Sequence, residues 1–172
     1  MKSIKLPVAD TARPWYADGL KFTCTQCGNC CTGEPGYVWI SDEELQRLAD
    51  HLKQPLADVV RKYCRKISGK FSLKERKSLR GEYDCVFLEE IDGRRVCTVY
   101  PVRPLQCRTW PFWDGNLISK KSWQRAGKKC PGLNKGRHYT QAQVEALRDA
   151  EDWPANPPTS QNPKSESRTP NQ

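Results

Sequence analysis

The spacing of leucines after residue 41 predicts an amphipathic helix. Three leucines follow Ser41 at the three- and four-residue intervals that place side chains on one helix face: Leu45, Leu48 and Leu52. Glu44 lies three residues after Ser41, and this pair is the sequence signature of a capping box. We therefore expect a helix over about residues 42–53 that begins at Ser41 and buries its leucine face.

Two further helices are predicted by the same reasoning. The second should run from Pro55, a favourable residue for a first helical turn, to about Lys66. Cys64 would then lie on this helix. The third should begin at Thr140 and end near Ala150. The apolar stripe of the second helix would consist of Leu56, Val59, Val60 and Tyr63.

Strand signals are short and scattered. Residues 37–40 form one candidate strand, and residues 85–90 and 95–100 form two more. Asp92-Gly93 lies between the last two, and this dipeptide is typical of a β-hairpin turn. Residues 101–112 contain three prolines and should form a turn followed by a short helix. The polar segment from 66 to 81 gives no clear pattern.

Composition indicates a small core. Hydrophobic residues make up 37% of the 172 residues and charged residues 28%, so a metal or disulfide staple is favoured. We expect a small, irregular α+β domain over residues 20–152, with a β-hairpin and several short helices. Residues 1–19 should be irregular. Residues 153–172 are rich in Pro, Ser, Asn and Gln and should form a disordered tail.

The expected location of the chain is the cytoplasm, with no association with a membrane. No apolar run has the length of a signal peptide or of a membrane span. Thiols stay reduced in that compartment, where clustered cysteines more often bind metal than form disulfides. The count of nine cysteines also leaves one over in any complete disulfide pairing.

Cysteine spacing is the strongest chemical signal in the sequence. Crowded thiolates repel one another unless a cation or a disulfide takes up their charge, so we interpret eight of the nine cysteines as metal or cluster ligands. Four of them lie within eight residues, and the others follow at wide intervals. The predicted ligands are Cys24, Cys27, Cys30, Cys31, Cys85, Cys97, Cys107 and Cys130.

The first three cysteines have the spacing of a bacterial ferredoxin loop. That loop continues to a fourth cysteine followed by proline, and here those positions hold Glu34 and Pro35. A fourth ligand must therefore come from a distant part of the chain. A zinc ribbon would require a second Cys-x2-Cys pair, which the sequence lacks. The cofactor is thus an iron–sulfur cluster or zinc, and we favour iron.

Cys30 and Cys31 are adjacent, and adjacent side chains usually diverge. The pair suggests either two neighbouring sites or one cluster with a second function. Cys64 is isolated on the predicted second helix and should be a small buried hydrophobic residue. His51 and His138 are also isolated and are expected to be structural, with His51 on a helix surface.

Two other residue types could support such a site. Arg103 and Arg108 flank Cys107 and could donate N–H bonds to sulfur or balance thiolate charge. An arginine there could also bind an anionic substrate. Four aromatic residues could exclude water from a site or simply form core: Trp110, Phe112, Trp113 and Trp123.

The formal net charge of +9 has two interpretations. A divalent metal ion with four thiolates carries a net charge of about −2, so part of the basic excess could offset metal–thiolate charge. The remainder could be an ordinary solvated surface, or it could attract an acidic partner or nucleic acid. No nucleic-acid-binding motif accompanies the charge. We therefore favour an unidentified protein partner, if any, over nucleic acid.

Taken together, the motifs resemble those of the YkgJ-type cysteine-cluster family of zinc- or iron-chelating proteins, to which the cysteine region of flagellin lysine N-methylase is related. The resemblance covers about residues 20–136. It lies in Cys24-x2-Cys27-Gly-x-Cys30-Cys31, Cys85-Val-Phe-Leu, Cys97-x2-Tyr100-x2-Arg103-Pro104-x2-Cys107-Arg108-x-Trp110-Pro111-Phe112 and Cys130-Pro131-Gly132.

The resemblance implies the same eight cysteines and omits Cys64. It implies a protein that binds a metal ion or an iron–sulfur cluster, with a structural, sensory or electron-transfer role. The alternative that it implies is an iron–sulfur enzyme that transfers a methyl group from S-adenosylmethionine to lysine. The sequence shows no glycine-rich loop to hold that cofactor. We leave the question of enzymatic activity open.

Overall fold

A computed structural model gives the fold of the chain and describes residues 13–150. Over this range it contains six α-helices and ten short strands. The helices are α1 (Asp42–Leu52), α2 (Leu56–Tyr63), α3 (Leu105–Thr109), α4 (Asp114–Leu117), α5 (Lys120–Lys129) and α6 (Gln141–Asp149). The strands are β1 (Leu20–Phe22), β2 (Thr32–Gly33), β3 (Trp39–Ile40), β4 (Cys64–Ile67), β5 (Lys70–Leu73), β6 (Glu75–Lys77), β7 (Tyr83–Cys85), β8 (Leu88–Ile91), β9 (Arg94–Cys97) and β10 (Leu133–Tyr139). Single turns of 3₁₀ helix cover Asn29–Cys31 and Tyr100–Val102.

The strands form small antiparallel sheets between the helices. Two sheets have three strands, in the orders β2-β7-β6 and β3-β5-β4. Two more have two strands, β1 with β10 and β8 with β9. Helices and separate antiparallel sheets in one chain define an α+β fold, which confirms the predicted fold class.

The chain divides into two compact units. The first unit consists of residues 13–30, 90–96 and 109–150 within the described part of the chain. The second unit consists of Cys31–Glu89 and Cys97–Arg108. The chain enters the second unit at Cys31 and again at Cys97.

Helix α1 begins as the sequence predicts. The Ser41 hydroxyl accepts a hydrogen bond from the Glu44 N–H at 3.2 Å, and the Glu44 carboxylate accepts one from the Ser41 N–H at 3.1 Å. These reciprocal bonds satisfy two amide groups that the first turn leaves without helical partners. Leu45 and Leu48 are buried in the core of the second unit, where Val59 of α2 packs with them.

Helix α2 is shorter than predicted. It ends at Tyr63, and Cys64–Ile67 form strand β4 instead of a further helical turn. The chain then turns back through Ser68 and Gly69, which both have positive φ angles, so that β4 pairs with β5. Cys64 is therefore a strand residue, and the prediction that it lies on a helix is wrong. Pro55 is the residue before the helix, and the predicted apolar stripe is also incomplete because Leu56 is exposed.

The predicted hairpin is present with shifted strands. Asp92 and Gly93 form its turn with φ angles of 50° and 72°. The strands are β8 and β9, so Cys97 ends the hairpin. Cys85 lies outside the hairpin, in β7, where it pairs with Glu75 of β6. The prediction that Cys85 begins a hairpin strand is thus wrong.

The core of the first unit forms around the pairing of β1 with β10. Leu20 lies opposite Tyr139 and Phe22 opposite Leu133. Phe112 is buried beneath this pair and contacts the Phe22 ring edge-on. The sequence patterns predicted neither α4, α5 nor β10, whereas α6 begins after the Thr140 cap as predicted.

Two predictions concern residues that the structure does not describe in full. The irregular segment 1–19 is described only from residue 13, where a turn leads into β1. The predicted disordered tail, 153–172, lies outside the described residues. Across residues 13–150, none of the helices combines the length and apolar composition needed to cross a bilayer.

Glu44 joins two parts of the second unit, which makes it a test of the fold. Besides capping α1, its buried carboxylate accepts a hydrogen bond from the Leu105 N–H at 2.6 Å, at the start of α3. Replacing Glu44 with Ala leaves the N–H groups of Ser41 and Leu105 without these acceptors. We expect a loss of about 1–3 kcal/mol in the free energy of unfolding, measured with urea.

Glu43→Ala is the matched control, because Glu43 is an exposed neighbour in the same helical turn. Its effect should stay within about 0.5 kcal/mol. Equal losses in the two variants would contradict the role of Glu44.

Candidate metal centre

The predicted ligands are divided equally between the two units. Four lie in the first unit: Cys24, Cys27, Cys30 and Cys130. The other four lie in the second unit: Cys31, Cys85, Cys97 and Cys107. The division separates the adjacent pair Cys30 and Cys31.

In the first unit, the loop that follows β1 makes a tight turn around its first cysteine. The Gln26 N–H donates a hydrogen bond to the Cys24 Sγ atom at 3.4 Å. Gln26 and Gly28 have φ angles of 54° and 72°. Positive φ angles between cysteines of a Cys-x2-Cys pair turn the backbone back on itself. This local geometry resembles a metal-binding knuckle, with the Gln26 amide directed at the Cys24 sulfur.

Cys130 is positioned next to this loop by two long-range hydrogen bonds. The Thr23 N–H donates to the Gly132 carbonyl at 3.2 Å, immediately before Cys24 in the chain. The Asn29 side chain donates to the Lys129 carbonyl at 2.7 Å. Both Cys24 and Cys130 also pack against the hydrophobic core of the first unit. The fold thus brings a segment about one hundred residues away in sequence to the cysteine loop.

Gly132 has a steric role in this arrangement. A Cβ atom at that position would collide with the carbonyl oxygen of Thr23. Glycine therefore allows the two backbones to approach closely enough for the Thr23 hydrogen bond.

In the second unit, the structure joins two sulfurs directly. The Cys31 thiol forms a hydrogen bond with the Cys97 sulfur, and this is the largest of the effects that lower the pKa of Cys97 to about 7. The Val99 N–H and the positive charge of Arg103 lower the pKa further, whereas burial raises it. The two hydrogen bonds and the charge of Arg103 thus stabilise the thiolate form of Cys97. A thiolate is the form of cysteine that binds metal.

Strand pairing joins the segment that follows Cys31 to the segment that precedes Cys85. In the antiparallel pair of β2 and β7, Thr32 lies opposite Asp84, and its hydroxyl hydrogen-bonds the Asp84 carboxylate at 2.6 Å. These paired residues adjoin Cys31 and Cys85 in sequence, so the strand pairing brings the two segments that carry these cysteines together.

Cys107 lies on the short helix α3, whose start is fixed by the Glu44 carboxylate. The Cys107 N–H donates to the Pro104 carbonyl at 3.0 Å, which closes the first turn. Glu44 and Asn29 are the positioning residues that the sequence patterns did not identify. Asn29 precedes Cys30 directly, whereas nothing in the sequence associates Glu44 with Cys107.

The predicted ligands are not gathered into a coordination shell in the structure. Across residues 13–150, no group of three or more His, Cys, Asp or Glu side chains is arranged to hold a metal ion. The pairing of Cys31 with Cys97 and the placement of Cys24 beside the Cys130 segment are what the structure shows. Ligation by the eight cysteines stays a prediction.

Cys64 differs from the other cysteines in its surroundings. It is buried in the hydrophobic core of the second unit, and its side chain packs among apolar residues. Burial raises the pKa of this thiol to about 11. Its predicted character as a small buried hydrophobic residue is confirmed. His51 is exposed on α1, as predicted, and His138 is exposed on β10, where its Nε2 atom lies 3.0 Å from the Asp18 carbonyl.

The two arginines near Cys107 have different roles. Arg103 stacks on the Tyr100 ring, 3.7 Å from its centroid, and its charge acts on Cys97. This matches the predicted balancing of thiolate charge. Arg108 pairs with the Glu44 carboxylate at 3.3 Å. It therefore supports the anchoring of α3.

Three of the four aromatic residues belong to the core of the first unit or pack against it, whereas Trp113 is half-buried and donates a hydrogen bond to the Thr109 hydroxyl at 3.2 Å. Phe112 and Trp123 are buried and stack on each other with ring centroids 5.8 Å apart. Trp110 packs against the same core as Cys24 and Cys130. Apolar packing of this kind lowers access of water to neighbouring sulfurs. The core interpretation is confirmed for Phe112 and Trp123, and exclusion of water from a metal site stays a prediction.

All predicted donors are sulfur, which limits the metals that they suit. Thiolates bind zinc tetrahedrally and are the common ligands of iron–sulfur clusters. Hard cations such as Mg²⁺ and Ca²⁺ prefer oxygen. The donor set and the thiolate at Cys97 thus fit zinc or iron, within an α+β fold rich in cysteine.

Comparison with known proteins identifies the class. Residues 23–131 match the CxxCxxCC family, described as "Putative zinc- or iron-chelating domain". The chain belongs to this family, which confirms the resemblance inferred from its motifs and supports metal binding in general.

One relative is an uncharacterized protein of Methanocaldococcus jannaschii. It is 32% identical over 97 residues, which are 56% of this chain and 48% of the relative. The chain therefore spans about half the length of that relative. No solved structure matches the chain.

The two perturbed thiols give a test of the site in metal-free protein. With the pKa of Cys97 near 7 and that of Cys64 near 11, brief treatment of the reduced, chelator-treated chain with iodoacetamide at pH 7 should modify Cys97 well before Cys64. Lowering the pH to 5 should slow modification of Cys97 roughly 50-fold, because its thiolate fraction falls from about one half to about one hundredth. Peptide mass spectrometry measures both rates.

Cys64 is the internal control, since it should react only after denaturation. Equal modification of the two cysteines in the folded chain would contradict the difference in pKa and burial between Cys97 and Cys64.

Proposed function

We propose that this protein binds iron, as an iron–sulfur cluster, in preference to zinc, and that it does so through eight cysteines. The proposed ligands are Cys24, Cys27, Cys30, Cys31, Cys85, Cys97, Cys107 and Cys130. With this metal bound, the protein would serve as a structural, sensory or electron-transfer module in the cytoplasm.

The observation that carries the proposal is the contact between Cys31 and Cys97. These residues are far apart in sequence, and yet the fold joins their sulfurs by a hydrogen bond. Arg103 and the Val99 N–H stabilise negative charge on the same sulfur. A protein that used cysteine only for packing would gain nothing from stabilising a thiolate, as the neutral Cys64 in the core illustrates. Metal ligation does require that charge.

The preference for iron rests on spacing and donor type. Cys24, Cys27 and Cys30 repeat the ferredoxin interval, and the turn at Gln26 aims an N–H at sulfur. Hydrogen bonds to sulfur are among the features that tune an iron–sulfur cluster. The chain lacks the fourth cysteine of a ferredoxin loop. Cys130 lies next to the loop, because the carbonyl of its neighbour Lys129 accepts a hydrogen bond from the Asn29 side chain.

The first experiment is anaerobic purification of the full chain from cells supplied with both metals. We expect a coloured protein with visible absorption from sulfur-to-iron charge transfer and with acid-labile sulfide. A colourless protein with stoichiometric zinc would overturn the choice of iron and keep metal binding. Protein that holds neither metal would overturn the whole proposal.

Cys97→Ser should lower the metal content per chain, because serine cannot supply the thiolate. Elemental analysis of anaerobically purified protein measures this. Cys64→Ser is the matched control, since it also replaces a cysteine sulfur with oxygen in the second unit. It should keep its metal and lose about 1–3 kcal/mol of stability through burial of a hydroxyl. Full metal content in Cys97→Ser would count against ligation by Cys97.

A further inference from the structure

The boundary between the compact units falls between two adjacent cysteines. Cys30 belongs to the first unit and Cys31 to the second. Each unit contains four cysteines if the core residue Cys64 is left aside. Four thiolates are the number that completes either a tetrahedral zinc site or the common iron–sulfur clusters.

Within the first unit, separate contacts converge on one group of cysteines. The Thr23–Gly132 hydrogen bond lies next to Cys24, and the Asn29–Lys129 hydrogen bond joins the residues that directly precede Cys30 and Cys130. Cys24 and Cys130 share one hydrophobic core. Cys27 belongs to the same loop.

Within the second unit, a different group converges. Thr32 and Asp84, which adjoin Cys31 and Cys85 in sequence, pair on neighbouring strands and are hydrogen-bonded at 2.6 Å. The Cys31 thiol is hydrogen-bonded to the Cys97 sulfur. Cys85 and Cys97 also pack against one hydrophobic core. Cys107 is the remaining cysteine of that unit outside its core, on a helix anchored by Glu44.

We infer that the chain holds two separate metal centres, each with four cysteine ligands from one unit. The first centre would use Cys24, Cys27, Cys30 and Cys130. The second would use Cys31, Cys85, Cys97 and Cys107. The inference rests on the proposed function and specifies how its ligands divide.

Under the proposed function each centre would be an iron–sulfur cluster, and a set of four sulfur donors would also accept zinc or another thiophilic ion. Because the structure has only pairs of neighbouring cysteines, metal binding would complete each set by adjusting side chains and loops, as is common when folding and metal binding are coupled.

Basic residues near the ligands favour this division. Residues 115–144 contain no Asp or Glu, and Lys128 and Lys129 directly precede Cys130. Arg103 lies in the second unit, four residues before Cys107, where it stacks on the Tyr100 ring. Each group of thiolates therefore has cationic side chains of its own to balance the net negative charge of a four-thiolate centre.

The test uses cadmium, which replaces zinc at thiolate sites and is visible by NMR. Full-length protein, reduced and freed of metal, is loaded with ¹¹³Cd²⁺ without oxygen. We expect two bound ions per chain and two resonances of equal intensity in the range of four-sulfur sites. Cys30→Ser should remove one resonance and Cys31→Ser the other, although the two substitutions are adjacent.

Double variants separate two centres from one shared centre. Cys30→Ser with Cys130→Ser should lose no more metal than Cys30→Ser alone, because both residues belong to one centre. Cys30→Ser with Cys31→Ser should lose both ions. Loss of both ions from Cys30→Ser alone, or loss of the same resonance from Cys30→Ser and Cys31→Ser, would overturn the division.

Two further results keep the test decisive. If the serine variants do not fold, Cys30→His and Cys31→His retain a ligand and should each shift a different resonance. A wild-type chain that binds one ion overturns the division and leaves the proposed function intact. A wild-type chain that binds no zinc, iron or cadmium overturns the proposed function itself.

Discussion

The hydrogen bond between Cys31 and Cys97 is the contact on which the candidate metal site of the second unit depends. It joins the end of the cysteine loop to the end of hairpin β8–β9, and strand pairing brings the segment of Cys85 next to the segment of Cys31. The negative charge that it stabilises requires cationic partners, and Arg103 supplies one. The surrounding fold can be understood as the scaffold that keeps these sulfurs close while the hydrophobic core excludes Cys64 from them.

Local signals in the sequence predicted the elements that depend on neighbouring residues. The capping box at Ser41 fixed the start of α1, and Asp92-Gly93 fixed the hairpin turn, because each feature acts within four residues. Ser68 and Gly69 form a similar turn, but the segment around them has no clear apolar pattern, so the sequence predicts helix as far as Lys66 where the chain instead forms strand β4.

Elements that depend on distant partners could not be predicted in this way. Strand β10 is mostly exposed and highly polar, and it exists because β1 pairs with it across more than one hundred residues. Helix α5 buries only Trp123, so its apolar pattern is too sparse to be recognised. The same limit applies to the cysteines. Their spacing identified eight candidates, whereas their division between two units depends on non-local packing.

The burial of Cys64 has a consequence for the selection of ligands. A chain with nine thiols offers an incoming metal ion many wrong combinations, and a wrong combination that forms early can trap a misfolded state. Folding of the second unit places Cys64 in an apolar core, where the thiol stays protonated and out of reach. If the other eight cysteines bind metal as proposed, hydrophobic packing would keep Cys64 from competing with them.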